Sequence, residues 1–236
     1  MWFSPLLIGL SLGILGGGGS ILVVPILTYL FKIDPKTAIA YSLLIVGLTS
    51  LFGVIQNLKN IEYKKIILFS LLAFFGTFIG TKIAFLISSQ IQMILFSLIM
   101  LITSYKMFMN KKSENNKITS WKLPFQGFLV GLLSGIIGVG GGFLIVPALI
   151  NSDIPIKRAI PTSLLIITFN SISGTFGYLE KIQFDFKFIG IFVFISIVGF
   201  LISNFIKDKL DENKIKKLFS LSLLIIAMFV IIKNIS

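Results

Sequence analysis

The chain contains no cysteine and no histidine, and its 236 residues include only nine carboxylates. Without thiols or imidazoles there is no zinc site of the usual Cys/His kind. A Cys–His or Ser–His nucleophile pair and a disulfide framework are excluded as well. The carboxylates are Asp34, Glu62, Glu114, Asp153, Glu180, Asp185, Asp208, Asp211 and Glu212. All lie between apolar runs or beside the gaps, so none pairs visibly inside a run for acid–base or metal chemistry. No cofactor and no metal is expected. Charge of either sign is scarce, at 13%, against about 25% in an ordinary soluble domain. The hydrophobic fraction is 56% and mean hydropathy is +1.00. This balance excludes a disordered chain and argues against a water-soluble globule and most enzymology.

What charge there is has one dominant sign, with a net of +12. The 21 basic residues are scattered through short gaps between long apolar runs. Basic loops flanking spans are the pattern of an integral membrane protein, not of a nucleic-acid-binding surface. Met1 to Leu7 carries no basic residue, and the run beyond it is too long for a signal-peptide core.

A helix crosses roughly 30 Å of hydrocarbon with about 20 apolar residues. Six runs have that length: 37–58, 64–88, 91–109, 158–179, 186–206 and 215–233. Two more, 2–31 and 123–150, are longer, and each holds a glycine cluster. These clusters are Gly16-Gly17-Gly18-Gly19-Ser20 and Gly138-Val139-Gly140-Gly141-Gly142. A helix interior loses roughly 1 kcal/mol per glycine, so both runs are expected to unwind there.

The two glycine-bearing runs match at an offset of 122, with 11 identities in 19 positions from Gly9/Gly131 to Leu27/Leu149. Gly16 pairs with Gly138, Gly18-Gly19 with Gly140-Gly141, and Pro25 with Pro147. The match resumes after one residue of slippage, where Ser42-Leu43-Leu44-Ile45 pairs with Ser163-Leu164-Leu165-Ile166. Shared apolar composition does not place Gly, Pro and Ser in register. The expected organisation is therefore an all-α membrane protein of two pseudo-symmetric four-element halves, residues 1–109 and 123–236, joined by a polar linker over 110–122. Such repeats with interrupted segments mark a transporter and its binding site.

Lysine counting tests the path of the long runs. If both cross fully, the basic residues divide 11 to 10 between the two faces, with no positive-inside bias. If both are re-entrant, they divide 15 to 6. The larger set includes Lys59, Lys111, Lys117, Lys157, Arg158 and Lys214. The re-entrant reading makes the halves inverted repeats, puts the Asn110–Lys122 linker in the cytoplasm and leaves both termini outside. The alternative is a broken helix that still crosses, tilted to absorb its length.

The segments Gly135-Ile-Ile-Gly-Val-Gly-Gly-Gly-Phe-Leu-Ile-Val-Pro147 and Ala159-Ile-Pro-Thr-Ser-Leu-Leu165 resemble the sulfite exporter TauE/SafE family of membrane permeases. The first half carries a looser copy, Ala38-Ile-Ala-Tyr-Ser-Leu-Leu44, with Tyr41 opposite Thr162. The resemblance spans essentially the whole chain. It implies a multi-pass plasma-membrane carrier that exports or takes up sulfite or another small sulfur-containing anion.

Each glycine cluster is followed by an apolar half-helix, starting near Ile21 and Phe143. The N-terminus of such a half-helix offers free N–H groups and about half a positive charge. Without Cβ atoms an oxyanion can approach that backbone. The candidate substrate contacts are therefore Gly18, Gly19 and Ser20 facing Gly140, Gly141 and Gly142 across a midplane cavity. Hydroxyls of Ser42, Thr162 and Ser163 would add donors, with Asn170 and Ser171 two turns further along. The structural reading of the glycines is close helix packing, and that of the hydroxyls is bonding to their own helix. Gly16, Gly138, Pro25, Pro147 and Pro161 are read as helix-breaking or kinking positions, and Gly9 and Gly131 as positions that matter less. Lys82, inside a run, is read as snorkelling to the interface. The expected partners are a small anion and the lipid bilayer, and the sequence does not fix whether a homo-oligomer forms. Alternating access around the midplane site is the expected mechanism. An anion channel and a non-transporting membrane scaffold are the other readings.

Overall fold

The computed structural model describes residues 2–109, 122–152, 154–207 and 210–235, and all regular structure among them is helical. Helix α1 (Ser4–Leu15) runs into a 3-10 segment (Gly16–Leu22), a single turn α2 (Val23–Pro25) and a π turn (Ile26–Leu30). Then come α3 (Pro35–Gln56), α4 (Tyr63–Ala84) and α5 (Ser89–Met109). After the linker, α6 (Lys122–Ile137) and the short α7 (Gly142–Ile150) precede α8 (Ile156–Leu179), α9 (Phe186–Lys207) and α10 (Glu212–Ile235). Apart from Lys122, which opens α6, the expected linker lies outside the described residues.

The six ordinary apolar runs each form one helix. Seven helical stretches among the described residues are long and apolar enough to cross a membrane, with Ser4–Leu30 taken as one of them. The chain path of that stretch is not straight. The Trp2 and Phe31 rings meet edge-on with centroids 5.8 Å apart. A continuous helix would hold them about 44 Å apart at 1.5 Å per residue. The chain turns back at the glycines, where Gly16 takes a left-handed φ of 59°.

Helix directions follow from the glycines that let backbones touch. Gly127 lies against Phe69, Gly131 against Ala73 and Gly135 against Thr77, so α6 runs parallel to α4. Gly9 lies against Ser196 and Gly13 against Ser203, so α1 runs parallel to α9. By contrast, Gly174 lies against Leu43, Gly47 against Ser171 and Gly53 against Leu164, so α3 and α8 are antiparallel. The short α3–α4 connection reverses the chain, so α4 and α6 both run against α3. Since α8 also runs against α3, α7 carries the chain back to the end at which α6 began.

The two ends of the bundle are distinct. At one, Arg158 pairs with Glu62 at 2.5 Å and Asn204 donates to Gln56 Oε1 at 2.7 Å. At the other, Trp2, Phe31, Phe188 and Phe192 form an aromatic cluster. Burial separates inner from outer helices. The most apolar windows of α3 and α8 are 72% and 67% buried, against 39% in each of α4, α5, α9 and α10. The outer helices turn side chains such as Phe75, Phe108, Phe194 and Phe205 outwards, the surface a hydrocarbon solvent requires. Lys82 is exposed, with its Nζ 4.8 Å from the Phe78 ring centroid. Helix α3 starts sharply because the Asp34 carboxylate accepts the N–H groups of Lys36 and Thr37, with Pro35 in the first turn.

Candidate anion site at the glycine crossing

The two glycine clusters meet backbone to backbone. A Cβ on Gly17 or on Gly142 would lie 2.2 Å from the other residue's Cα, so only glycine fits at either position. Serines bind the crossing to the inner helices. Ser163 Oγ accepts the Gly17 N–H at 3.3 Å, and Ser42 Oγ donates to the carbonyl of Gly138. Each hydroxyl also lies within hydrogen-bond distance of a carbonyl of its own helix, Ile160 for Ser163 and Ile39 for Ser42. Ser20 Oγ donates to Gly17 O at 2.6 Å.

The second cluster leaves the helical path altogether. Gly138, Gly140 and Gly141 have φ of 75°, 64° and 72°, values that L side chains rarely adopt. Gly141 then caps α7, its carbonyl accepting the Leu144 and Ile145 N–H groups at 2.9 Å, and the positive end of the helix dipole lies at Gly142 and Phe143. Gly140 sits beside Val46 and Ile167, close to the middle of α3 and α8. Two hydroxyls border this turn. Ser171 Oγ is 3.3 Å from where a Cβ on Gly140 would stand, and Ser134 Oγ is 3.0 Å from that of Gly141. Both are buried, and neither has a hydrogen-bond partner among the described residues. The same holds for both amide atoms of Asn170, which is 0% exposed. Each buried, unpaired polar group costs about 1–3 kcal/mol, so placing the Ser134 and Ser171 hydroxyls at a helix N-terminus is a costly arrangement for packing alone.

Several sequence-derived positions fall elsewhere. Gly18 faces the Phe219 ring on α10, and Gly19 packs on Ser11 and Leu12 of its own segment. The residue facing Gly142 is Gly17. The reason is the winding: a 3-10 helix has three residues per turn, so Gly17 and Ser20 share a side and Gly18 and Gly19 turn away. Thr162 lies near the bundle end, where its Oγ1 accepts the Glu62 N–H at 3.1 Å. Pro147 and Pro161 lie inside α7 and α8, and Pro25 ends α2. Gly9 and Gly131 are not permissive positions. A Cβ there would lie 1.8 Å from Ser196 O and 2.0 Å from Ala73 O, because these glycines carry the α1–α9 and α4–α6 contacts. Ser134 was not legible as a site residue. Its one signal is a lone hydroxyl, four residues before Gly138, in an apolar run.

A cavity of about 520 Å³ opens at the end of the bundle that holds Arg158. Lys157, Arg158, Asn57 and Asn60 line it, and it reaches inward to Gly13 and Ile160. The Ile160 Cα is 3.1 Å from the Cβ position of Gly16, so the cavity ends against the first glycine cluster. At the opposite end Tyr41 joins α3 to the α8–α9 loop. Tyr41 Oη donates to Gln183 O at 3.2 Å and accepts the Asp185 N–H at 2.9 Å, and its ring stacks on Phe184. No cluster of potential metal ligands occurs among the described residues.

A family model described as sulfite exporter TauE/SafE matches residues 2–230. The chain belongs to the sulfite exporter TauE/SafE family. It is 30% identical over 238 residues to a probable membrane transporter protein of Xylella fastidiosa, covering 95% of this chain and 91% of that protein. A probable membrane transporter protein of Methanocaldococcus jannaschii is 31% identical over 191 residues, covering 74% and 71%. A shorter stretch of 64 residues is 41% identical to sulfite exporter TauE/SafE family protein 5 of Arabidopsis thaliana, covering 27% of this chain and 14% of that protein. No solved structure matches. Like the rest of the TauE/SafE family it resembles, the protein is a multi-pass membrane transporter.

Proposed function

We propose that this protein carries a small sulfur-containing anion, sulfite or an organosulfonate, across the plasma membrane by alternating access around the glycine crossing. The observation that carries the reading is the α7 N-terminus at mid-helix depth, bordered by the unpaired hydroxyls of Ser134 and Ser171. Positive helix ends and unpaired donors suit an oxyanion. The donors nearest to the anion in this reading are the Gly140–Gly142 backbone, Ser134 and Ser171. Ser42 and Ser163 hold the crossing together.

The two halves are inverted repeats in this reading, each opening with a re-entrant hairpin. Supporting it, the packing partners exchange between halves: α1 on α9 mirrors α6 on α4, and α3 pairs with α8 as α5 does with α10. The matching helices α3 and α8 run antiparallel, which requires a pseudo-twofold axis perpendicular to them. The end bearing Lys59, Lys157, Arg158 and the 110–122 linker is cytoplasmic by its basic charge. Tyr41 and Thr162 are matching positions, and each holds the loop between the second and third helices of the other half. In this reading the cavity at the Thr162 end and the Tyr41 bonds at the other favour the cytoplasm-facing state.

Flux into liposomes tests the reading with sulfite, sulfate, thiosulfate, sulfoacetate, taurine and simple carboxylates. Saturation and trans-stimulation by a sulfur-containing anion are the expected result. Flux that is linear with concentration and not trans-stimulated would make the protein a channel. With no carboxylate inside the spans, export is expected to respond to voltage, at about 2.3 kcal/mol per charge per 100 mV, and to ignore a sodium gradient.

A further inference from the structure

The cavity at the Arg158 end is large for sulfite. At roughly 30 Å³ per heavy atom of liquid-density matter, about 520 Å³ takes on the order of fifteen such atoms. A bare trioxoanion has four. Volumes of this size belong to sites that enclose an organic ligand. The lining is divided. Asn57, Asn60, Lys157 and Arg158 stand on the polar side, while Ile14, Leu164 and Phe200 are apolar. Glu62, the partner of Arg158, does not line the cavity, and no other acid among the described residues does. Arg158 is thereby oriented and partly neutralised, and Lys157 is exposed, with no ion pair among the described residues. The wall is thus cationic at one side and hydrocarbon at the other.

We infer that this cavity is an outer binding site for an amphiphilic monoanion, with one carboxylate or sulfonate head on an apolar body. The head meets Lys157 and the Asn57–Asn60 turn, and the body lies along Leu164 and Phe200. Resting on the carrier reading, this favours an anion with an apolar body over sulfite as the substrate, because the cavity abuts the glycine crossing through Ile160. The head-and-tail chemistry has two sources, a free organic anion or an acidic phospholipid.

Equilibrium binding to the full-length protein in nanodiscs of uncharged lipid separates these, with methane-, butane- and hexanesulfonate as probes beside sulfite. Affinity is expected to rise about threefold to fourfold per added methylene, as burial of a CH₂ predicts. Lys157→Gln is expected to weaken all members by a common factor of about five to ten. Ile14→Trp, which fills the apolar side, should flatten the chain-length trend, weakening hexanesulfonate far more than methanesulfonate. The same titration with phosphatidylglycerol added is the second arm, and hexanesulfonate should displace that lipid. Sulfite binding as tightly as hexanesulfonate, indifference to Lys157→Gln, or a phospholipid that no sulfonate displaces would each overturn the site. Binding that follows chain length without any liposome flux would sink the carrier reading and leave this site standing.

Discussion

Ser163 Oγ accepts the N–H of Gly17 from 146 residues away, and its counterpart Ser42 donates to Gly138. The serine that follows each glycine cluster thus holds the cluster of the other half. Removing either hydroxyl strands a buried backbone group, which costs about 1–3 kcal/mol. Ser42→Ala and Ser163→Ala are each expected to lower the unfolding midpoint in detergent. If neither variant shifts thermal unfolding, these bonds do not hold the crossing.

The contact of Gly17 with Gly142 leaves no space for a methyl group. Gly17→Ala and Gly142→Ala are expected to abolish transport and to reduce the yield of folded protein. Gly9→Ala and Gly131→Ala should be damaging too, because their Cβ atoms would enter backbone carbonyls. Gly190→Ala is the internal control, since nothing lies within 4 Å of its Cβ position. It should stabilise α9 by up to about 1 kcal/mol through helix propensity. Size-exclusion profiles and flux on the five variants together check this ranking.

Asp at position 140 would put a negative charge beside the α7 N-terminus, where an anion would bind. Asn has the same shape without the charge, and both tolerate a left-handed φ better than most residues do. Gly140→Asp should eliminate anion flux, while Gly140→Asn should fold equally well and retain part of it. Normal transport by a well-folded Gly140→Asp protein would move the site elsewhere.

Tyr41 ties α3 to the α8–α9 loop through two backbone contacts. Tyr41→Phe keeps the ring stacking and loses both bonds. It should raise accessibility at that end, read as faster labelling of a cysteine at Gln183 by an impermeant thiol reagent. The chain has no native cysteine to interfere. The same reagent tests topology. Cysteines at Asn60, Asn115 and Asn213 should report the cytoplasmic face and one at Gln183 the opposite face. Labelling of Asn115 and Asn213 on different faces would discard the re-entrant arrangement.

The sequence by itself determined the solvent, the helices and the family. Runs of about 20 apolar residues have few outcomes other than membrane helices, because hydrocarbon requires every backbone group to be bonded within the segment. The glycine clusters were likewise legible as places where helix propensity fails. What the sequence left undecided was which glycine faces which. That depended on the winding, since a 3-10 path puts Gly17, not Gly18 or Gly19, against Gly142. The role of Ser134 was invisible for a related reason: a hydroxyl four residues before a turn is unremarkable until the turn folds back beside it. Gly9 and Gly131 looked less important in one dimension because the helices they touch, α9 and α4, are distant in the chain. Only the tertiary structure brings Ser196 O and Ala73 O to where their Cβ atoms would stand. Periodicity and composition act within a segment, whereas close approach of two backbones is a property of the pair.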